Sequence, residues 1–262
     1  MRLQILQIMA TYKKTGSKVK KSQENIDEKS TTAEVFNTLD ETASKSEQWV
    51  IKNQKIILIA LAAIVVGILG YLAYHKYVDG PKEKEAADEL AFPKAYFEDA
   101  MANSVAADSL YTLALNGADG KYGFVDVANE YSGTKAGNLA NYYAGLSYLK
   151  LKKYKEAIDY LEDFSSDDEL LGPIAKGAIG DAFADINQPE DALDYYLKAA
   201  DLKDNNFSSP LFLFKAGNTA LEIGKNSKAL DIFNRIKNDY PLSDEAKNID
   251  VYIKKATFAS EK

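Results

Sequence analysis

Several carboxylates stand side by side and could serve acid–base catalysis or calcium binding, namely Asp167, Asp168 and Glu169, and Glu190 with Asp191. They fall in or beside predicted turns and helix starts. Carboxylates there accept hydrogen bonds from free backbone N–H groups and interact favourably with the helix dipole. The residue spacing of a calcium-binding loop is missing. We therefore interpret these carboxylates as structural.

Other reactive residue types are scarce. The chain has no cysteine, which excludes disulfides, thiolate catalysis and cysteine-ligated metals, and its one histidine, His75, adjoins an uncharged segment. The sequence also lacks a Walker-type phosphate loop, a GxSxG nucleophile elbow and a zinc-binding HExxH pattern. It predicts a protein that is not an enzyme and holds no metal or cofactor.

The average composition conceals three different parts. With 262 residues, 46% of them hydrophobic, and a net charge of −7, the chain looks like an ordinary soluble protein. However, residues 1–55 carry ten basic and seven acidic side chains, 56–75 carry none, and 76–262 carry 22 basic and 32 acidic. A basic head, an uncharged band and an acidic body predict a membrane-anchored protein.

The uncharged band is long enough to cross a bilayer. Residues 56–74 read IILIALAAIVVGILGYLAY, and at 1.5 Å per residue they span roughly 28 Å of the ~30 Å hydrocarbon core. Trp49 and Tyr77 flank the band, as interfacial aromatic residues do. A cleaved signal peptide fits less well because 55 residues precede the band. We assign a transmembrane helix to residues 55–76.

The basic residues of the head favour one orientation. Near the band the two flanks carry similar numbers of lysines, but a run of five lysines lies further upstream, at Lys13, Lys14, Lys18, Lys20 and Lys21. The positive-inside rule therefore places the amino terminus in the cytoplasm and exports the acidic body. The run could bind anionic lipid or RNA, but we interpret it as a solvated topology signal and expect no nucleic-acid partner.

Four small residues share one face of the predicted transmembrane helix: Ala60, Ala63, Gly67 and Gly70. Small residues at spacings of three and four let a second membrane helix approach closely. Small residues are also common in any membrane helix. The sequence is therefore compatible with a packing face and with ordinary membrane-helix composition.

The segments around the band have distinct compositions. We predict a disordered basic tail at 1–31 and a juxtamembrane amphipathic helix at 32–54, lying on the membrane or against a partner. The turn signal Asp79-Gly80-Pro81 marks a linker at 77–82, before a helical domain at 83–262.

The helical domain repeats itself. Residues 139–164 align with 174–199 at a shift of 35, which places Gly145 on Gly180 and Ala157 on Ala192; a third copy begins near Leu211 at a shift of 37. This pattern resembles the tetratricopeptide repeat, a 34-residue helix–turn–helix with small residues where its helices cross. The resemblance implies an all-α chain: a single transmembrane helix followed by a tetratricopeptide-repeat α-solenoid.

Further segments extend this array, and two positions depart from its pattern. Residues 121–131 read as the second helix of a degenerate first repeat, 243–257 as a closing helix, and 82–117 as two earlier helices with a kink or break at Pro93. The departures are Asn141 and Pro189, which stand where the repeat usually has aromatic residues.

The whole arrangement resembles the YfgM-like family of ancillary Sec translocon subunits, in the form with a long cytoplasmic head found in Bacteroidota. The resemblance implies a bacterial inner-membrane protein with a periplasmic repeat domain. It also implies SecYEG and a PpiD-like membrane-anchored chaperone as partners, and secreted polypeptides as clients.

The resemblance further implies a partner-binding concave face on the first helix of each repeat. In its register that face comprises Tyr142, Leu146, Leu149 and Lys150; Asp181, Ala184 and Asp185; and Phe214, Asn218, Leu221 and Glu222. The protein's own terminal helix could instead fill this groove.

Two other functions remain open. Anchored tetratricopeptide proteins also serve as scaffolds of other cell-envelope complexes, and the chain could act as a membrane-tethered holding chaperone that needs no translocon.

Overall fold

The computed structural model describes residues 31–103 and 105–261, with side chains from Glu47 onward. The predicted disordered tail therefore lies outside the described residues, except for Thr31. Within the described ranges the chain is helical, and its only β-type pairing is an isolated bridge between Ala118 and Lys121. The all-α prediction is confirmed.

The described chain contains eleven α-helices, one π-helical turn and one 3₁₀ turn. They are α1 Thr31–Tyr74, a π-helical turn His75–Asp79, α2 Gly80–Ala102, α3 Ala107–Asn116, α4 Phe124–Glu130, α5 Lys135–Lys150, α6 Tyr154–Asp163, α7 Leu171–Asp185, α8 Pro189–Leu202, α9 Ser208–Glu222, α10 Asn226–Asp239, a 3₁₀ turn Glu245–Asn248, and α11 Ile249–Ser260. The described residues divide into two units, one that ends at Ile68 and one that begins at Leu69.

Helix α1 contains the uncharged band. Its apolar side chains are exposed, for example Ile59 and Val66, each at 69%. Among the described residues one helical stretch is long and apolar enough to cross a membrane, and it includes this band. The predicted border between residues 54 and 55 is not marked by a break, since α1 runs through it.

The predicted linker at 77–82 is helical. A π-helical turn occupies His75–Asp79, and α2 begins directly at Gly80 with Pro81 in its first turn. Proline is tolerated there because the first N–H groups of a helix have no acceptor within it. Pro93 lies inside α2 and is buried, so the helix continues past the predicted break.

Three helical hairpins, α5–α6, α7–α8 and α9–α10, correspond to the three predicted copies. In each, a glycine of the first helix lies against the residue sixteen positions later. A Cβ on Gly145, Gly180 or Gly217 would come within 3 Å of Leu161, Tyr196 or Phe233 respectively. The alanines of the second helices, Ala157, Ala192 and Ala229, are fully buried. The small residues therefore allow the helices of each hairpin to touch, as the repeat pattern predicted.

The turn inside each hairpin has the same backbone conformation. Lys152, Asn187 and Gly224 occupy equivalent positions and have positive φ angles of 58°, 59° and 73°. The next residue donates its N–H to a carbonyl five positions back, as Lys153 does to Tyr148 at 2.9 Å. This is the Schellman arrangement, which ends the first helix and reverses the chain.

Additional helices close both ends of the array. Glu83 on α2 accepts hydrogen bonds from the backbone N–H groups of Lys135 and Ala136, at 2.8 and 3.1 Å, and so caps the start of α5. Helix α4 is shorter than the predicted 121–131, since it begins at Phe124. At the other end α11 buries Ile249 and Ala256, as expected of a closing helix.

Candidate functional site

The first helices of the three hairpins, α5, α7 and α9, contribute to one open cleft of about 410 Å³. It brings together five residues of the predicted concave face, namely Leu149, Lys150, Asp181, Ala184 and Asp185, with Lys152, Tyr154, Tyr196 and Lys215. We call this cleft the groove. Leu149 is half-buried, whereas Lys150 and Asp185 are exposed, so an apolar wall stands beside charges of both signs.

Asp181 is engaged within the protein. Its Oδ1 and Oδ2 lie 2.7 and 2.9 Å from the Lys215 ammonium group, and its Oδ1 also accepts a hydrogen bond from the Tyr196 hydroxyl at 2.7 Å. Burial, followed by the hydrogen bond to Asp181, raises the pKa of Tyr196. The negative charge expected to face a ligand is therefore largely compensated by the next repeat.

Tyr154 adds a polar group that the sequence reasoning missed. Burial raises the pKa of the Tyr154 hydroxyl, and a hydrogen bond to Asp185 raises it further. Lys215 was missed as well, although it stands 34 residues after Asp181, close to one repeat length. Comparing charges at that interval would have found it.

Tyr142 does not lie in the groove, which corrects the prediction for this residue. Its side chain is 7% exposed and packs against Phe164 and Tyr143, with ring centroids 5.1 and 5.4 Å apart. A large ring gains more by burial between hairpins than by exposure to water. Leu146, on the same helix, is half-buried and packs partly against the core.

The predicted residues of the third hairpin face a different environment. Phe214 packs edge-on against Tyr252 of α11, with ring centroids 4.8 Å apart, so the terminal helix covers this position. Asn218 donates a hydrogen bond to the Phe214 carbonyl at 2.9 Å. Leu221 is half-buried and Glu222 is exposed. The open part of the predicted face is thus formed mainly by the first two hairpins.

Acidic residues elsewhere in the repeats have structural contacts. Asp168 Oδ1 accepts hydrogen bonds from the N–H groups of Leu170 and Leu171 at 2.8 and 2.9 Å, which lowers the pKa of its carboxyl. Between the second and third hairpins Glu190 pairs with Lys225, and Asp201 pairs with Arg235 at 2.6 Å. Two of the adjacent carboxylates, Asp168 and Glu190, thus have contacts within the protein.

The described residues contain no group of three or more histidine, aspartate or glutamate side chains that could hold a metal ion. His75 is exposed and its Nδ1 lies 3.5 Å from Asp79. On α1 the small residues Ala60, Ala63, Gly67 and Gly70 are exposed. A Cβ added to Gly67 or Gly70 would meet no heavy atom within 4 Å, so nothing in the described chain packs there.

Comparison with known proteins supports the repeat assignment. The family model of the tetratricopeptide repeat matches residues 139–167 and 212–243, which cover most of α5–α6 and most of α9–α10. The α7–α8 hairpin lies outside these matches but has the same glycine contact and turn geometry. Comparisons with curated proteins and with solved structures gave no match. The chain is therefore an all-α protein that carries tetratricopeptide repeats and, before them, a long apolar helix.

Proposed function

We propose that this chain is a non-enzymatic, single-pass inner-membrane protein that associates with the SecYEG translocon. Its tetratricopeptide repeats stand in the periplasm, where they assist secreted polypeptides or recruit a PpiD-like chaperone. The observation that carries the proposal is an open groove on the repeats of a chain that also has an uncovered apolar helix. The translocon itself is suggested by the resemblance to the YfgM-like family.

The groove supports a protein ligand. Tetratricopeptide repeats bind protein partners in general, and stacked repeats of this kind present extended surfaces on which a peptide can lie. Leu149 offers apolar contact area, and Lys150 and Asp185 offer charges of opposite sign within the same cleft. Such a surface suits a segment with mixed apolar and charged side chains, which secreted chains expose before folding.

The apolar helix supports the anchor. An apolar face exposed to water would be unfavourable by about 25 cal/mol for each Å², and a bilayer removes that cost. The lysine run of the head suits a cytoplasmic amino terminus, which leaves the repeat domain on the exported side. The small residues around Ala63 then lie at the depth at which another membrane helix would pack.

Site-specific photo-crosslinking in living cells tests the proposal. A photo-reactive residue at Ala63 should form adducts with SecY, SecE or SecG, and one at Leu149 should form adducts with secreted polypeptides or a periplasmic chaperone. Val105, which is 97% exposed and outside the groove, serves as the control position.

Three other results would contradict the proposal in different ways. Adducts from Ala63 with another envelope assembly, and none with the translocon, would identify a scaffold of that assembly. Adducts from Leu149 with unfolded secreted chains, without any translocon adduct from Ala63, would identify a tethered holding chaperone. Activity of a carboxy-terminal reporter that works only in the cytoplasm would reverse the proposed orientation.

A further inference from the structure

Each loop that follows a hairpin displays an exposed apolar side chain. Leu170, Phe207 and Leu242 follow the first, second and third hairpins, and they are 40%, 69% and 97% exposed. They are separated by 37 and 35 residues, which is the interval of the repeat. An isolated exposed leucine needs no explanation, but one exposed apolar residue in the loop after each of three successive hairpins forms a pattern.

The three loops lie side by side. The Asn205 side chain of the second loop donates a hydrogen bond to the Glu169 carbonyl of the first loop at 3.1 Å. Asp204 of the second loop accepts a hydrogen bond from the Tyr240 hydroxyl of the third loop at 2.5 Å. Leu170, Phe207 and Leu242 therefore belong to one edge of the repeat array, which we call the loop edge.

The first two apolar residues are held in equivalent, hydrogen-bonded turns. Leu170 and Phe207 are the N-cap residues of α7 and α9, with φ angles of −115° and −107°. Asn205 Oδ1 accepts from the N–H groups of Phe207 and Ser208 at 2.9 and 2.7 Å. In the first loop Asp168 Oδ1 accepts hydrogen bonds from the equivalent N–H groups, those of Leu170 and Leu171.

Helix stability does not account for these apolar side chains. Leucine is among the poorest N-cap residues, because an apolar side chain accepts no hydrogen bond from the helix, and polar residues are strongly preferred there. The residue two positions earlier already supplies that acceptor in both loops. The two apolar side chains therefore have no role in capping these helices.

The surroundings of the loop edge are acidic. Residues 164–170, 203–207 and 240–245 contain six acidic side chains and one basic side chain, Lys203. One of the six, Asp244, pairs with Lys247, which lies just beyond the third loop. Beyond the first loop lies a polar cleft of about 590 Å³, lined by Ala128, Asn129, Ser132, Asn141, Asp159, Tyr160 and Asp163. A smaller cleft beside it shares Ser132, Asn141 and Asp163 and includes Ser165 of the first loop. Within the described chain Asp159 and Asp163 form no ion pair.

We propose that the loop edge is a docking surface for a cationic amphipathic segment of another protein. Apolar side chains of that segment cover Leu170, Phe207 and Leu242, and its basic side chains face the acidic loops and the polar cleft. Opposite charges around an apolar contact favour such a partner. A second copy of the same edge and an anionic lipid surface are both disfavoured, since each would bring like charges together.

This surface is separate from the groove, and the proposal holds whichever membrane complex the chain joins.

The test uses the full chain in phosphatidylcholine nanodiscs, with empty discs as the blank. The probe is a fluorescent leucine–lysine amphipathic peptide of about 18 residues, or five helical turns. Binding is followed by fluorescence anisotropy at low and high salt.

We expect the peptide to bind the wild-type chain and a leucine–glutamate version not to bind. Phe207→Ser should weaken binding about tenfold, because burying a large apolar side chain is worth roughly one factor of ten or more. Leu242→Ser, at a side chain 97% exposed, should weaken binding without disturbing the fold. Val105→Ser, equally exposed elsewhere, is the matched control, and added salt should weaken binding to the wild type.

Three results would overturn the proposal. Unchanged affinity in both Phe207→Ser and Leu242→Ser, with the helical circular dichroism retained, excludes the loop edge. If Leu149→Glu abolishes peptide binding while Phe207→Ser and Leu242→Ser do not, the peptide binds in the groove. A wild-type dimer in sedimentation that Phe207→Ser dissociates makes a second copy the occupant.

Discussion

Lys215 on α9 places its ammonium group 2.7 Å from one carboxylate oxygen of Asp181 on α7, and 2.9 Å from the other. The two residues stand 34 positions apart and join successive repeats across the groove. The same carboxylate accepts the Tyr196 hydroxyl hydrogen bond. A residue that the repeat register assigns to ligand binding thus also connects the second hairpin to the third.

The first prediction concerns this ion pair. In a double-mutant cycle of Asp181→Asn and Lys215→Ala, we expect a coupling free energy of about 0.5–1 kcal/mol in urea unfolding. The value is small because the two side chains are 38% and 35% exposed and water screens their charges. The control is the more exposed Asp194–Lys198 pair within α8, with an expected coupling of about 0.3–0.5 kcal/mol. No measurable coupling would mean that Asp181 remains available to a ligand.

The second prediction concerns the contact between the second and third hairpins at Gly177. A Cβ at Gly177 would lie 1.9 Å from a ring carbon of Phe212, which is itself 4% exposed. Gly177→Ala should therefore lower the free energy of unfolding by about 1–3 kcal/mol, the usual range for overpacking.

Two further variants identify overpacking as the cause. Gly177→Ala combined with Phe212→Leu should recover part of the lost stability, because the smaller side chain leaves room for the methyl group. Gly67→Ala, where a Cβ would meet nothing within 4 Å, should leave the unfolding of the repeats unchanged. Equal stability of Gly177→Ala and wild type would show that this interface adjusts.

The third prediction concerns the left-handed residue of the hairpin turns. Lys152 has a φ of 58°, at the position that Gly224 occupies in the third hairpin. Lys152→Gly should raise the free energy of unfolding by roughly 0.5–1 kcal/mol, since only glycine adopts this conformation without steric cost. Gly224→Ala should lower it by a similar amount. Lys155→Gly, in the first turn of α6, should not raise the free energy of unfolding, because glycine is a poor helix former. A gain there would refute the conformational explanation.

The fourth prediction concerns alkaline pH. Burial, followed by a hydrogen bond to Glu162, raises the pKa of Tyr195 to about 12 from its usual value near 10. Between pH 10 and 12 the unfolded chain loses the Tyr195 proton, whereas the folded protein retains it. The stability is therefore fully present below pH 10 and falls as the pH rises through this range.

Urea unfolding at pH 9 and pH 11 measures this loss, and absorbance at 295 nm follows tyrosinate formation. Tyr195→Phe should make the stability less dependent on pH over this interval. Tyr252→Phe is the comparison variant, because it removes a tyrosine of the closing helix α11 that packs against Phe214 instead of Glu162. An equal effect of both substitutions would contradict the assignment to Tyr195.

The repeats were predictable because their signals are local and periodic. Gly145, Gly180 and Gly217 recur at similar intervals of 35 and 37 residues, and a small residue is required wherever two helices cross closely. The pattern in the sequence therefore indicates the contact in the structure. The uncharged band on α1 was predictable for a similar reason, since composition and length alone identify a helix that could cross a bilayer.

Other features depended on neighbours that are distant in sequence. The turn signal at Gly80 and Pro81 predicted a linker, but proline also fits the first turn of a helix, and the structure has α2 there. The assignment of Tyr142 to the groove followed the repeat register, yet Phe164 and Tyr143 bury its ring. The repeat alignment predicts the helix face on which a residue lies. Whether its side chain is buried depends on the size of the side chains that face it.

The sequence alone determined the helical class, the repeat interval, the apolar band and the uneven charge, because each arises from residue types and spacing along one segment. Only the tertiary structure decided which carboxylates are compensated, that α11 covers Phe214, and that Leu170, Phe207 and Leu242 share one edge. Those outcomes depend on which side chains of different repeats come within contact distance. Such contacts arise only when the hairpins pack together.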